Sequence, residues 1–490
     1  MEKKFQKKCL LGVLIIFCIT GLFAQPPDTL WTKTYGGVQN DEGFAVQQTS
    51  DDGYIIVGYT ESYGAGGRDV YLIKTNANGY INWTKTYGGA NDEWGCSVQQ
   101  TSDGGYIIVG LTSSFGAGSG DVYLIKTNAN GDTLWTETFG GEYYDIGNSV
   151  KQTRDGGYII VGYTGVPPSR NVYLIKTNPN GSMQWSRTFQ VGYADDVGCS
   201  IQQTPDGGYV IAGYTGWTYL NHDVYLVKTD SLGYVNWSNT YGGSDDDESF
   251  SLQLTSGGGY IIVGFTKSFG AGAEDVYLIK TNSNGDTLWT RTYGGTGKDI
   301  GFSVQQTLDG GYIIAGETWS FGAGEDDFYL IKTNSNGETL WTKTYGGLGK
   351  DSAFSVQQTS DQGYILTGTT RCFGPGNASV WLIKTAPDIC IEETEPSRKD
   401  NFNSWIEPNP FFDKTSIKYN LSNSSNVQIM IYNLTGKEIR TLVKDKQNAG
   451  KNAVTWDGKD NSNKKVPNGI YFARLLAGDK CINLRLIKIR

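Results

Sequence analysis

FSVQQTLDGGYIIAGETWSFGAGEDDFYLIKTNSNGETLWTKTY, residues 302–345, is one unit of a repeat that decides the fold. Residues 302–307 read as a strand. Asp309-Gly310-Gly311 then turns the chain, because Gly supplies positive φ without a steric cost. Residues 312–318 form a second strand, 320–326 a Gly-rich loop, and 328–333 a third strand. Asn336-Gly337 is a hairpin turn, and 339–345 is a fourth strand carrying Trp341. No segment of helical period intervenes. Four short antiparallel strands in about 50 residues make a β-propeller blade.

The unit recurs. Trp31, Trp83, Trp135, Trp185, Trp237, Trp289 and Trp341 are spaced 52, 52, 50, 52, 52 and 52 residues apart. The first three strands of each unit begin near 44, 96, 148, 199, 250, 302 and 354. The Trp strand also occurs seven times, but its first copy, residues 29–35, precedes every other strand, and no copy follows residue 385. The N-terminal strand is therefore expected to complete the last sheet, giving an all-β, seven-bladed propeller without a free edge. Strands such as YIIVGY (54–59) are apolar on both faces, as a sheet sandwiched between sheets requires. The seven Trp are expected to pack between blades, where a large flat ring buries most area.

The segment VYLIKTNANGDTLW (122–135) resembles the repeats of pyrroloquinoline-quinone-type propellers, and the resemblance spans residues 28–385. It implies the propeller fold. The quinone enzymes of that family add metal ligands and a stacking site for which this sequence offers no counterpart, so no cofactor is expected.

The ends of the chain carry an address. Residues 1–24 read as a signal peptide. Lys3, Lys4, Lys7 and Lys8 open it, an apolar run covers 10–19, and Gly21-Leu22-Phe23-Ala24 suits cleavage near Ala24. The run is short for a membrane span, which needs about 20 apolar residues. The mature chain is expected to have no transmembrane segment and to be secreted or attached at the outer surface. Residues 25–385 form the propeller, 386–402 a polar linker, and 403–490 a second β domain with strands expected at 415–421, 427–433, 438–443, 452–456, 470–477 and 482–489. Pro408-Asn409-Pro410-Phe411, Ile431-Tyr432-Asn433, Trp456-Asp457-Gly458 and Pro467-Asn468-Gly469-Ile470-Tyr471-Phe472 occur in order. The series resembles the C-terminal sorting domain of type IX secretion cargo and the related Ig-like domain of the flagellar hook-capping protein. That resemblance implies an Ig-like sandwich and outer-membrane sorting machinery as a partner of residues 403–490.

Composition narrows the function. Removing residues 1–24 takes 41 basic and 50 acidic residues to 37 and 49, a net charge of −12. Residues 25–387 carry −17 and residues 388–490 carry +5. An acidic body argues against nucleic acid, whose phosphates need a basic surface. One His, His222, rules out multi-His metal sites, and no CxxC pair suggests a thiolate zinc site. Cys96 and Cys199 replace Phe at the start of inner strands and read as small core residues.

Two features of one propeller end are candidate chemistry. The first is a carboxylate rim. Asp69, Asp121, Asp223, Asp275 and Asp327 precede third strands, and Asp41, Asp92, Asp145, Asp195, Asp196, Asp246, Asp299 and Asp351 sit in the linking loops. Converging carboxylates suit Ca²⁺, and a repeated Asp also suits a repeated turn cap. The second is a departure from the repeat. The aromatic-Gly-Ala-Gly loop of four other units, varied to Phe373-Gly374-Pro375-Gly376 in the last, is replaced by GVPPSR (165–170) and GWTYLNH (216–222). The adjoining linkers contain Tyr143, Tyr144, Tyr193, Asp195 and Asp196. With Trp217, Tyr219 and His222 these form a candidate pocket for a glycan or protein ligand, with stacking faces beside polar anchors. A binding or structural module is the favoured reading. A carbohydrate-active hydrolase or lyase using Asp195, Asp196 and His222, and a quinone-dependent dehydrogenase, are the alternatives.

Overall fold

The computed structural model describes residues 25–167, 169–192, 195–217, 220–388, 404–433, 438–477 and 480–489. Residues 1–24, expected to be a signal peptide, lie outside them. Residues 29–385 build seven four-stranded antiparallel sheets, with no helix among the described residues. In the first sheet the order is Asp41–Gln48, Tyr54–Thr60, Asp69–Thr75, Ile81–Tyr87. The middle strands are buried along their whole length, which is why both faces of the sequence are apolar there. The Trp strand alternates exposed and half-buried residues because it is the outer edge.

The last sheet takes its fourth strand from the N-terminus. Thr29–Tyr35 runs antiparallel to Ser379–Thr385, with Trp31 opposite Lys384 and Tyr35 opposite Val380. The first and seventh sheets also meet at their inner strands. The Val46 amide donates to Ser355 Oγ (3.2 Å), and the Gln48 amide donates to Gln357 Oε1 (2.6 Å).

Each Trp ring lies on the first Tyr of the next sheet's second strand. Trp83 and Tyr106 have ring centroids 6.0 Å apart, Trp289 and Tyr312 5.9 Å, and Trp31 and Tyr54 5.9 Å. The penultimate layer is polar. A Lys near the end of the third strand turns inward and pairs with the Asp of the first turn, as in Lys74–Asp51 (2.8 Å) and Lys332–Asp309 (2.8 Å).

Three boundaries differ from the sequence reading. Inner strands begin about three residues earlier, at Asp41, Glu93, Asp145, Asp195, Asp247, Asp299 and Asp351. A β-bulge after the third or fourth residue, such as Gly43/Ala45, breaks the alternation from which the start was inferred. In the fourth sheet, 216–222 is not a loop as a whole: strand Tyr209–Trp217 pairs Trp217 with Leu220 of strand Leu220–Thr229. The expected linker starts later than 386. Asp388 is buried, accepts from Trp341 Nε1 (3.1 Å) and Tyr364 Oη (3.0 Å), and the Ala386 amide donates to the Asp28 carbonyl. Residues 389–402 fall outside the described set.

The C-terminal domain is a sandwich of a three-stranded and a four-stranded sheet. The six expected strands are present with slightly longer spans, and Ser404–Glu407 is an additional edge strand. Phe411, Ile417, Val427, Ile431, Trp456 and Tyr471 fill its core. Tyr432 and Met430 meet Gln362 of the seventh sheet, and Arg474 donates to the Asp388 carbonyl (2.8 Å).

The fifth sheet lacks one polar partner. Its first turn has Gly257 where the other turns have Asp, so Lys280 bonds only to Thr255 Oγ1 (2.7 Å), the Thr281 carbonyl and the Tyr260 carbonyl. Burial holds its pKa down to about 8. A base depressed in the folded state binds fewer protons there than when unfolded, so stability should rise as pH climbs from about 8 towards the unfolded value of about 10.4. No heavy atom lies within 4 Å of a Cβ built at Gly257. Gly257→Asp should add about 0.5–1 kcal/mol at pH 7 and remove that alkaline rise, measured by urea unfolding.

Candidate functional site

The rim carboxylates are the natural starting point, because their positions repeat. At the start of every inner strand stands a repeated acid, Asp41, Glu93, Asp145, Asp247, Asp299 or Asp351 as the first residue and Asp196 as the second residue of the strand that opens at Asp195, each buried. Asp41 accepts from the Gly37 amide (2.7 Å) and from the hydroxyls of Thr60 and Ser62. Glu93 does the same with Gly89 (2.7 Å) and Thr112 (2.9 Å), and Asp299 with Gly295 (2.9 Å), Thr318 and Ser320. These residues cap the link between one sheet and the next. The acids before third strands act likewise: Asp69 accepts from the Ala65 amide and Asp275 from Ala271 and Gly272. The sequence reading placed Asp92 and Asp246 in the repeated role, but they stand one residue too early. Asp92 accepts from the Arg68 amide, and Asp246 accepts from the His222 amide and pairs with Lys267. Among the described residues no group of three His, Cys, Asp or Glu is arranged to hold a metal ion.

Adjacent caps approach each other. Asp69 and Glu93 both crowd Gly88, and Asp121 and Asp145 both crowd Gly140. Burial first, and the neighbouring carboxylate second, raise the pKa of Asp69 and Asp121 against the amides they accept from.

The unusual third and fourth units build something else. Arg170, from the 165–170 loop, donates to both oxygens of Asp195 at 2.6 Å. Both side chains are largely buried, so the fork is held dry and in one geometry. His222 lies beside it, with Nε2 4.0 Å from Asp195 Oδ2 and Nδ1 2.9 Å from Glu248 Oε1 of the fifth sheet. The His222 ring packs on Tyr214 (centroids 5.1 Å), and the guanidinium lies 5.0 Å from the Tyr163 ring centroid and 5.9 Å from that of Tyr214. Hydrogen bonding to Glu248 raises the His222 pKa against desolvation, helped by the charges of Glu248, Asp246 and Asp195. With the ring protonated, two cations face two anions. Cys199 is nearby, but burial pushes its thiol far above the usual range, so it is not a nucleophile at neutral pH.

The expected pocket is thus divided. Asp195 and His222 come together. Asp196 turns away to accept from the Val191 amide (3.2 Å). Tyr144 lies by Gly120 and is half-buried, whereas Tyr143 is exposed. Tyr193 and Tyr219 lie outside the described residues, as does the side chain of Trp217. Arg170, Glu248, Tyr163 and Tyr214 were not among the candidates. Arg170 was visible as part of a deviant loop, but Glu248 looked like the end of an acidic run, and only its place in a strand brings it to His222.

Residues 411–479 match the FlgD Ig-like domain family. The regulatory protein FlaEY of Caulobacter vibrioides is 26% identical over 119 residues, which is 22% of this chain and 12% of that protein. Among solved structures, PorZ, described as an essential bacterial surface component of the type IX secretion system of Porphyromonas gingivalis, is 11% identical with a TM-score of 0.37. That match covers 90% of this chain and 64% of PorZ. A puromycin hydrolase is 13% identical with a TM-score of 0.45, over 82% of this chain and 62% of the other. Sqt1 of Chaetomium thermophilum is 11% identical with a TM-score of 0.41, over 70% and 82%. This chain therefore spans an eighth of FlaEY and under two thirds of PorZ.

Glu248 is the first cause of the raised His222 pKa. A His with a raised folded pKa contributes stability that is complete below its unfolded value of about 6.5 and is lost as pH rises through the folded value. Glu248→Gln should cost about 2 kcal/mol at pH 6 and markedly less at pH 8. Urea unfolding at the two pH values checks this; an equal loss at both would show that the ring is neutral in the fold.

Proposed function

We propose that this protein is an exported β-propeller, its seven sheets closed into a ring by the N-terminal strand, that serves as a binding or structural module at the cell surface. The observation that carries the reading is the commitment of every candidate catalytic group. Asp195 is forked by Arg170, Asp196 is a backbone cap, and His222 is held by Glu248. A hydrolase or lyase needs an acid and a base free to exchange protons with substrate. This network instead rigidifies three neighbouring sheets and holds the deviant loops in place.

Export is the second part of the proposal. Residues 1–24 direct the chain across the inner membrane, with cleavage near Ala24. Residues 403–490 act as the type IX sorting domain, delivering the propeller outside. The FlgD-like match over 411–479 supports an Ig-like tail of the required kind. The ligand proposed for the loop end is a glycan or an extended peptide, held by Trp217, Tyr219 and Tyr143.

In a host with type IX machinery, the full chain should be found at the surface, and the chain lacking 403–490 should accumulate in the periplasm. Surface delivery unchanged by the deletion would remove the sorting reading. The mature protein should also select members of a glycan and peptide array. Trp217→Ala combined with Tyr219→Ala should weaken that binding about tenfold or more, since losing a stacking face costs roughly 1–1.5 kcal/mol.

A further inference from the structure

At the other end of the inner strands, away from His222, the seven sheets surround a channel of about 230 Å³. One position of each inner strand lines it, and that position is Gln in six sheets and Lys151 in the third. The glutamines are not free to turn. Gln47, Gln99, Gln253, Gln305 and Gln357 each accept, at Oε1, the backbone amide of Gln100, Gln152, Gln306, Gln358 and Gln48 in the following sheet, at 2.5 to 2.7 Å.

An N–H can be met only by the amide oxygen, so the orientation of each side chain is fixed. What remains of each is its NH₂ group, and those five have no acceptor among the described residues. Ser200, Ser251, Ser303 and Ser355 are used in the same way. Each hydroxyl oxygen accepts the amide of Leu252, Val304, Val356 or Val46, leaving its proton to donate.

The wall therefore offers donors. It contains no carboxylate, and Lys151 is its single formal charge. Lys151 has no hydrogen-bond or ion-pair partner among the described residues. It also offers no oxygen to the fourth sheet, where Gln47, Gln99, Gln253, Gln305 and Gln357 each offer one to the sheet that follows theirs. Acidic turns at this end do not neutralise it, because Asp51, Asp103 and Asp155 are each paired with their own Lys. Val46, Val98, Leu252, Val304 and Val356 stand in the lining beside the Gln and Ser side chains, and burial pushes the Lys151 pKa down, so an unpaired ammonium there is costly. Removing a repeated hydrogen bond to place an unpaired ammonium in such a channel is a cost that an anion would offset.

We propose that this channel binds a small oxyanion, a carboxylate or phosphate group, seated on Lys151 Nζ within the ring of glutamine NH₂ donors. At about 30 Å³ per water, the volume accommodates such a group with part of its hydration shell. The site is independent of the rim network and of the loop-end ligand, and nothing in it depends on export.

The test uses the full chain in low-salt buffer at pH 7, titrated separately with inorganic phosphate and with acetate. Melting temperature and calorimetry are the readouts. At least one anion should bind saturably and raise the melting temperature. Lys151→Gln, which restores the residue of the other units, should melt no lower than the parent without anion and should lose at least tenfold in affinity. Lys151→Arg should retain binding. Response to phosphate alone, to acetate alone or to both identifies the group and supports the site. An identical response from the parent and Lys151→Gln, or no saturable binding of either anion, overturns it.

Discussion

A tryptophan ring on a glycine sets the distance between sheets. In the turn of each following unit, Asn-Gly in five and Leu232-Gly233 in the fourth, the glycine backbone is left-handed, as at Gly79 (φ 74°) and Gly337 (φ 76°). A Cβ at Gly79 would stand 2.7 Å from Cζ3 of Trp31, and one at Gly337 2.8 Å from Cζ3 of Trp289. Glycine is thus required twice over, by φ and by contact. With the ring seated there, the Tyr at the end of the same outer strand reaches the turn: Tyr35 Oη donates to the Gly79 carbonyl (2.7 Å) and Tyr293 Oη to that of Gly337 (2.7 Å). The apolar faces behind are then close enough to interdigitate. Only Trp341 lacks such a turn, and Asp388 meets its indole instead, which is why the chain stays packed past its last propeller strand.

That spacing makes both ends of the sheets polar frameworks of opposite character. At the loop end, buried carboxylates accept amide and hydroxyl protons. At the turn end, oxygen atoms of Gln and Ser are spent on the neighbouring sheet, and what faces the channel is hydrogen. One repeated backbone need, an amide at each sheet junction, is answered by Asp at one end and Gln at the other. The chemistry left over differs accordingly.

Departures from the repeat act on this background. Where a rim cap is intact, as at Asp41 or Asp299, the carboxylate is local. Arg170 and His222, both from units whose loops diverge, recruit Asp195 and Glu248 into a network spanning three sheets. Lys151 for Gln leaves an unpaired cation, and Gly257 for Asp leaves Lys280 without its acid. Each is a single exchange whose effect follows from the partner the other units keep.

The sequence by itself determined the number of units, the four strands in each, the turn residues and the Ig-like tail. These rest on period, alternation and the φ preference of Gly and Asn, all of which act within a few residues. It also placed the N-terminal Trp strand, since counting alone left one sheet short. Tertiary structure decided which acids are caps, that Asp195 and Asp196 point to different partners, that Glu248 meets His222, and that the channel is lined by donors. The bulge in each inner strand shifts the register there, and the partners of Asp195, His222 and the channel glutamines lie about 25 to 50 residues away on another sheet, so no local pattern encodes which of them touch.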